Sequence, residues 1–385
     1  MYHTGMFRSV QQMTFLHLRI WICFFSLLRV SAQAMSQDSA WRKIVLEVKP
    51  VWGFIAPHHD YMGYFLEKNV TGFQLDAGFK TDGSRCWHHH YNFPVTGVGI
   101  YHSSLGNDKI YGTLTGMYFY INRDFTRSPG PVHFGNAIAF GLGYASKWHH
   151  PRNNPLNQVL ATPINVFLQY HLQLSVKLGS HAFASCSAGL THTSNGNFRE
   201  PNKGFNIVTT TLGIQYDAFR NERFPDRRKI IPCDSVSGIL SLGVFSGTKA
   251  ISRFNNSVYP VWGISAEQLF RLGALTMLGT ELVVYRDWSA FDQVPPETLN
   301  SKKESDAWFA VLSASLLLQM GRLAFAFQPG IYLKNSVPGN GVMSDKIGLR
   351  YQLTGHWMAS VSIKAHWLAK ADFVEWAVRY TLKKW

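Results

Sequence analysis

His192 and Ser194 stand two residues apart at the end of the run 181–194, HAFASCSAGLTHTS. An imidazole beside a hydroxyl is the pairing that acyl transfer uses: the ring takes the hydroxyl proton and the oxygen attacks a carbonyl. Side chains alternate between the two faces of a strand. One face of this run carries Ala182, Ala184, Cys186, Ala188, Leu190, His192 and Ser194; the other carries Phe183, Ser185, Ser187, Gly189, Thr191 and Thr193. Base and nucleophile therefore continue the apolar face. In a soluble enzyme they would turn toward a watery cleft, whereas this register aims them where a lipid would lie. On the next alternating run, Asn206 shares a face with Val208, Leu212, Ile214 and Tyr216. Antiparallel pairing of the two apolar faces would put His192, Ser194 and Asn206 on one wall. Cross-strand neighbours there stand about 5 Å apart, within reach of a hydrogen bond from the imidazole to the Asn206 amide.

The elements that must position these groups are strands. Sixteen alternating segments, most of about ten residues, recur from residue 44 to the C-terminus, divided by turn chemistry. Short turns at 179–180, 272–273, 321–322 and 354–355 alternate with longer polar loops at 147–160, 195–203, 250–258, 287–306 and 334–343. That parity is the pattern of a barrel with short periplasmic turns and long outer loops. One connection breaks it: 220–235, long and basic, falls on the side where turns should be short. The last segment alternates Trp376, Val378, Tyr380 and Leu382 against charged and small residues and ends on Trp385, as outer-membrane barrels end on an aromatic residue. A soluble β-sandwich would explain the alternation, but not the loop parity together with that ending. The pattern predicts an all-β fold, an antiparallel transmembrane β-barrel of roughly 12–16 strands, forming one domain over residues 35–385. No internal repeat, low-complexity tract or domain linker stands out.

Composition agrees. Aromatics make up 14% and charged residues 16% of the 385 residues, with a mean hydropathy of −0.07. A helical membrane protein would be far more apolar, whereas strands with one apolar and one polar face average to neutrality. Arg8 and Arg19 precede an apolar run over 20–28, and Ala32-Gln33-Ala34 has the small-x-small pattern of a signal-peptidase site, so residues 1–34 read as a cleaved signal peptide. The formal charge of +14 fits a phosphate-rich partner, of which lipopolysaccharide is one. Cys23 lies in the signal. Of the other three cysteines, Cys186 is a small filler in mid-strand, while Cys86 and Cys233 share a side and could pair in an oxidising compartment.

The segment 192–206, HTSNGNFREPNKGFN, resembles the outer-membrane lipid A 3-O-deacylase family (PagL-like, related to acyloxyacyl hydrolases), whose hairpin signature runs H-x-S-N and then P-N-x-G-x-E. The match is close in that hairpin and elsewhere rests on general barrel character. The family has eight-stranded barrels, so the additional strands here are a departure. The resemblance implies an esterase acting on lipid A in the outer membrane of a Gram-negative bacterium. It makes His192 the general base and Ser194 the nucleophile, and puts Asn195, Gly196 and Asn202 in the loop that stabilises the oxyanion. Asn206 stands where the family places the glutamate of its triad. An asparagine carbonyl accepts the imidazole N–H but offers no full charge. Glu200, nearby in the loop, is the other carboxylate that could serve.

Other polar clusters carry less. His58-His59, His88-His89-His90 and His149-His150 lie in loops, where adjacent histidines on an extended chain point apart and solvation is the ordinary role. No spacing identifies a metal site and no acidic cluster resembles a calcium cage. Neither a metal nor an organic cofactor is expected. Arg199 and Lys203 beside the pair, and Lys147 and Arg152 in an outer loop, are candidates to meet lipid phosphates. No nucleic-acid motif is present. The rival reading is a non-enzymatic barrel, a porin or scaffold, that kept the hairpin and lost the acid.

Overall fold

The computed structural model describes residues 44–126, 130–218, 231–233, 236–252, 257–293, 304–367 and 370–385. The expected signal segment, 1–34, lies outside them. Eight antiparallel strands form a first closed barrel: β1 Ile44–Ile55, β2 Val70–Lys80, β3 Val95–Ser104, β4 Thr113–Asp124, β5 Val132–Ala145, β6 Ile164–Lys177, β7 Ala182–Ser194 and β8 Phe205–Asp217. Eight more form a second: β9 Gly238–Ala250, β10 Val258–Arg271, β11 Thr276–Asp287, β12 Trp308–Met320, β13 Leu323–Lys334, β14 Met343–Gln352, β15 Trp357–His366 and β16 Lys370–Lys384.

The expected all-β, antiparallel barrel character is present, but the single barrel over 35–385 is not. β8 pairs back onto β1 and β16 onto β9, so the sheet closes twice. The long connection that broke the turn parity is the passage from one barrel to the other, and most of 220–235 lies outside the described residues. Interior chemistry accounts for the narrow closure. An eight-stranded barrel is just wide enough for side chains to fill it, and here they bond across it. In the first barrel Lys49 pairs with Glu47 and Asp76, while Gln173 and Ser185 reach Glu47. In the second, Arg350 pairs with Glu267, Arg379 with Glu281, and Lys346 with Glu281 and Glu375. A sixteen-stranded cylinder would hold these strands too far apart to join them.

The opposite faces are apolar and exposed: Leu46, Val48, Trp52 and Phe54 on β1, Tyr170, Leu172 and Leu174 on β6, Leu242 and Val244 on β9, Val378 and Tyr380 on β16. No helix of the described residues is long and apolar enough to cross a membrane. Two short helices lie in the connections: α1 Asp60–Tyr64 in the β1–β2 loop, and α2 Cys86–His90 in the β2–β3 connection at the other end.

Candidate active site

β7 and β8 are in the register the sequence implies. His192 lies directly opposite Asn206, and Leu190 opposite Val208. Ser185, Ser187, Thr191 and Thr193 are buried in the first barrel, while Cys186, Ala188 and Leu190 are exposed on its outer wall. His192 and Ser194 continue that outer row. On β6, Leu168 stands opposite His192 and Val166 opposite Ser194, so apolar side chains flank the pair. The Ser194 hydroxyl donates to His192 Nε2 at 3.0 Å, and His192 Nδ1 donates to Asn206 Oδ1 at 2.7 Å. A hydroxyl, an imidazole and an amide oxygen are thus joined in line, the arrangement that recurs in hydroxyl-activating sites.

The loop 195–204 packs tightly over the pair. Gly204 has φ +71°, and a Cβ there would come within 3.1 Å of both His192 Cε1 and Ser194 Cβ. Only glycine satisfies the dihedral and the close approach together. The Asn195 N–H donates to Asn202 Oδ1 at 2.9 Å, and Asn195 Nδ2 donates to the Arg199 carbonyl at 2.8 Å. Of the expected oxyanion donors, the Asn195 N–H is therefore already engaged inside the loop. The same bond fixes the Asn202 amide plane and leaves its Nδ2 on the other edge. Glu200 accepts the Asn202 N–H at 3.1 Å. It caps the loop, and Asn206 is the residue on the imidazole.

The loop also touches the second barrel. Asn197, at φ +69°, donates through Nδ2 to the Ala250 carbonyl at 3.1 Å and the Asp372 carbonyl at 2.9 Å. The Ala250 N–H returns a bond to the Asn197 carbonyl at 3.0 Å. Beside it Gly196, at φ +63°, faces Val374, where a Cβ would meet Val374 Cγ2 at 2.4 Å. Val374 alternates with the outward Trp376 and Val378 yet is only 3% exposed, because this loop covers it.

One participant was not legible in the sequence. His58 comes from the β1–β2 loop, 148 residues away, and its Nδ1 lies 3.5 Å from Asn206 Nδ2. Its Nε2 donates to the Lys203 carbonyl at 2.8 Å. No local spacing could signal this contact, because strand closure between β1 and β8 creates it.

Arg199 and Lys203 are exposed on the 195–204 loop, and Lys147 and Arg152 are exposed on the 146–163 loop. The two loops meet where the Lys203 and Gly204 N–H groups donate to the Val159 carbonyl. The other histidines do more than face water. His149 Nδ1 donates to the Asn157 carbonyl, and His150 Nδ1 accepts the Arg152 and Asn153 N–H groups. His88 Nδ1 accepts the Gly83 N–H, and burial pushes its imidazole down to about 4 against the pull of Asp82. Cys86 and Cys233 are joined in a disulfide that ties α2 of the first barrel to the inter-barrel connection. His90 lies beside them, but the sulfurs are bonded to each other and are not free thiolates.

Comparison with known proteins gives two family matches that together cover most of the chain. Residues 71–215 match "Lipid A 3-O-deacylase (PagL)", and residues 238–385 match "Acyloxyacyl hydrolase, C-terminal domain". The division falls between β8 and β9. No protein of curated function matches. Among solved structures, the chain is similar to Neisserial surface protein A at 12% identity, covering 45% of this chain and 96% of that one, with a TM-score of 0.29. It is also similar to a porin of Rh. blastica at 9% identity, covering 88% and 99%, with a TM-score of 0.19. Salmonella typhi OmpF matches at 9% identity over 90% and 99%, with a TM-score of 0.18.

Proposed function

We propose that this chain, which belongs to the lipid A 3-O-deacylase (PagL) family, is an outer-membrane esterase that removes an ester-linked acyl chain from lipid A with Ser194 as nucleophile and His192 as base. The observation that carries the reading is the bonded series Ser194–His192–Asn206 on the apolar outer wall, where an acyl chain in the outer leaflet would lie. His192 Nε2 takes the hydroxyl proton as Ser194 Oγ attacks the acyl carbonyl. Asn206 Oδ1 holds the Nδ1 proton and keeps the useful tautomer. Asn202 Nδ2 and the Gly196 N–H are the donors left to meet the oxyanion, and one such donor is typically worth ~3 kcal/mol. As the acyl C–O bond to the sugar breaks, the imidazolium protonates the departing sugar oxygen to a hydroxyl. Water, activated by the same imidazole, then hydrolyses the acyl–Ser194 ester to release the fatty acid and regenerate the hydroxyl.

The outer row of β7 below the pair, Leu190, Ala188, Cys186, Ala184 and Ala182, is mostly small. It runs between Tyr170, Leu172 and Leu174 of β6 and Leu212 and Ile214 of β8. An acyl chain laid along β7 would have bulky neighbours on both sides. Arg199, Lys203, Lys147 and Arg152 stand at the loop end, where lipid phosphates would be. A porin is less well supported, because the first barrel's interior is filled by the Lys49–Glu47–Asp76 network and its partners. No metal or organic cofactor enters this chemistry.

The test is mass spectrometry of lipid A from Gram-negative cells expressing the protein or its Ser194→Ala variant. The expected result is a species lacking one acyl chain in the first and intact lipid A in the second. Identical lipid A from both would reject the reading for that substrate.

A further inference from the structure

Asparagine at position 206 raises a problem that glutamate would not. A carboxylate presents an acceptor oxygen whichever way it turns. A carboxamide presents an acceptor on one edge and a donor on the other, and a half-turn would set its NH2 against the N–H of His192. Something must choose the edge.

We infer that His58 is a positioning residue that selects the amide orientation of Asn206, and thereby the tautomer of His192. The inference rests on the esterase reading above for its catalytic meaning. With both imidazoles neutral, the chain of donors and acceptors has one consistent solution. The Lys203 carbonyl can only accept, so at 2.8 Å His58 Nε2 carries the proton. A neutral imidazole has a single N–H, so His58 Nδ1 is an acceptor. It lies 3.5 Å from Asn206 Nδ2, which donates to it. Asn206 Oδ1 is then turned to His192, whose Nδ1 must be the protonated nitrogen at 2.7 Å. His192 Nε2 is left with its lone pair toward the Ser194 hydroxyl at 3.0 Å. With the Asn206 amide flipped, His192 could answer by moving its proton to Nε2. Asn206 Oδ1 would then face the lone pair of His58 Nδ1, so the opposed contact that selects the edge is at His58.

The placement of His58 is built, not incidental. The Ala56 N–H donates to the Asn206 carbonyl at 2.8 Å, extending the β1–β8 pairing to the edge of the loop. The His59 ring lies 4.8 Å from that of His58 and stacks on Tyr61 at 5.9 Å, at the start of α1. Lys203, whose carbonyl anchors His58, belongs to the loop that closes over Ser194. One histidine therefore ties the β1–β2 loop, the oxyanion loop and the orienting amide together.

The experiment uses the full chain in detergent micelles, with 15N-labelled histidine and His58→Phe introduced both alone and with Asn206→Glu. In the parent protein His192 is expected as the Nδ1–H tautomer by its 15N shifts. His58→Phe should leave a mixture and lower kcat for ester hydrolysis about tenfold, the effect of one hydrogen bond's worth of orientation, with KM little changed. In the Asn206→Glu background the same substitution should cost less than about twofold, because a carboxylate needs no selector. An unchanged His192 tautomer in His58→Phe would overturn the proposal, as would an equal loss of rate in both backgrounds, which would mean a general packing role. If no variant hydrolyses ester, the esterase reading fails while the NMR comparison still decides the role of His58.

Discussion

Two hairpins of the first barrel begin with the same string. β3 runs into His102-Ser103-Ser104-Leu105-Gly106-Asn107, and β7 into His192-Thr193-Ser194-Asn195-Gly196-Asn197, so both read H-x-S-x-G-N. In both, the glycine after the serine has a positive φ, +76° at Gly106 and +63° at Gly196, and a second such glycine closes the loop, Gly112 and Gly204. In both, the histidine faces a polar residue on the next strand, Thr115 or Asn206. The outcomes differ. Ser194 donates to His192, whereas Ser104 accepts the Thr71 N–H at 3.1 Å and donates to the Asn69 carbonyl at 3.5 Å. The partner opposite the histidine differs as well. An asparagine carbonyl demands the Nδ1 proton, while the Thr115 hydroxyl, 2.9 Å from His102 Nδ1, can donate and leave the proton on Nε2. A histidine so protonated has no lone pair to offer a neighbouring serine. The string is thus a barrel-hairpin device, and under the proposed mechanism the acceptor across the strand and the serine's own hydrogen-bond partners together set the two copies apart.

The sharpest way to break the comparison is to remove each hydroxyl. Ser194→Ala should lower ester hydrolysis by roughly 10³-fold or more, since loss of a nucleophile leaves only binding and oxyanion stabilisation. Ser104→Ala should leave the rate within about twofold, because that hydroxyl serves the β2–β3 backbone and loss of an exposed hydrogen bond is a modest change. Fatty-acid release from lipid A measures both. Equal effects would mean that the two hairpins are not distinguished by chemistry.

Changing the residue across the strand comes next. Asn206→Leu should cost about 10²- to 10⁴-fold in kcat, the range associated with a mis-held imidazole, while Asn206→Glu should raise kcat by restoring a charge opposite the developing imidazolium. Thr115→Asn in the Ser194→Ala protein should not restore hydrolysis, since Ser104 is held by β2. Recovery of activity there would show that the acceptor alone separates the hairpins.

The shared string also shows what the sequence could and could not convey. The outer-wall register of His192, Ser194 and Asn206 was readable because a period of two leaves only two choices and the apolar residues pick one. The first hairpin does not stand out in the sequence, because its likeness to the second is confined to four positions in six and the strands beside it are ordinary alternation. Barrel closure was hidden for a deeper reason. Sixteen similar strands can close once or twice, and the choice is made by β1 meeting β8, residues far apart in the chain. The misplaced length of 220–235 was the one local trace of it. His58 and the engagement of the Asn195 N–H were invisible because both follow from closure and loop packing, which no spacing encodes.

Glycine substitution should give smaller and unequal effects. Gly204→Ala meets His192 and Ser194 and a positive φ, so activity should fall by about tenfold or more alongside ~1–2 kcal/mol of strain. Gly112→Ala carries the same backbone strain, but its Cβ would meet the Ser146 and Lys147 side chains. It should lower the thermal midpoint with hydrolysis nearly intact per folded molecule. A paired assay of melting and specific activity separates them, and equal losses of specific activity would remove the claim that Gly204 answers to the site.

The smallest expected difference concerns the last residue of the string. Asn107 works within its own barrel: its Oδ1 accepts the Lys109 and Ile110 N–H groups, and its Nδ2 donates to the Phe65 carbonyl at 2.8 Å. Asn197 spends its amide across the seam, on Ala250 and Asp372 of the second barrel. Each substitution by alanine removes hydrogen bonds worth ~1 kcal/mol apiece. For Asn107→Ala the loss should appear as local loosening of the 105–112 loop. For Asn197→Ala it should appear where the barrels join, as faster hydrogen exchange in both the 195–204 loop and the first residues of β16, with kcat reduced about two- to fivefold by a less fixed oxyanion loop. The second barrel would then act on the chemistry through one side chain. If exchange rises only in the loop while β16 is unmoved, the two barrels are neighbours and the site belongs to the first alone.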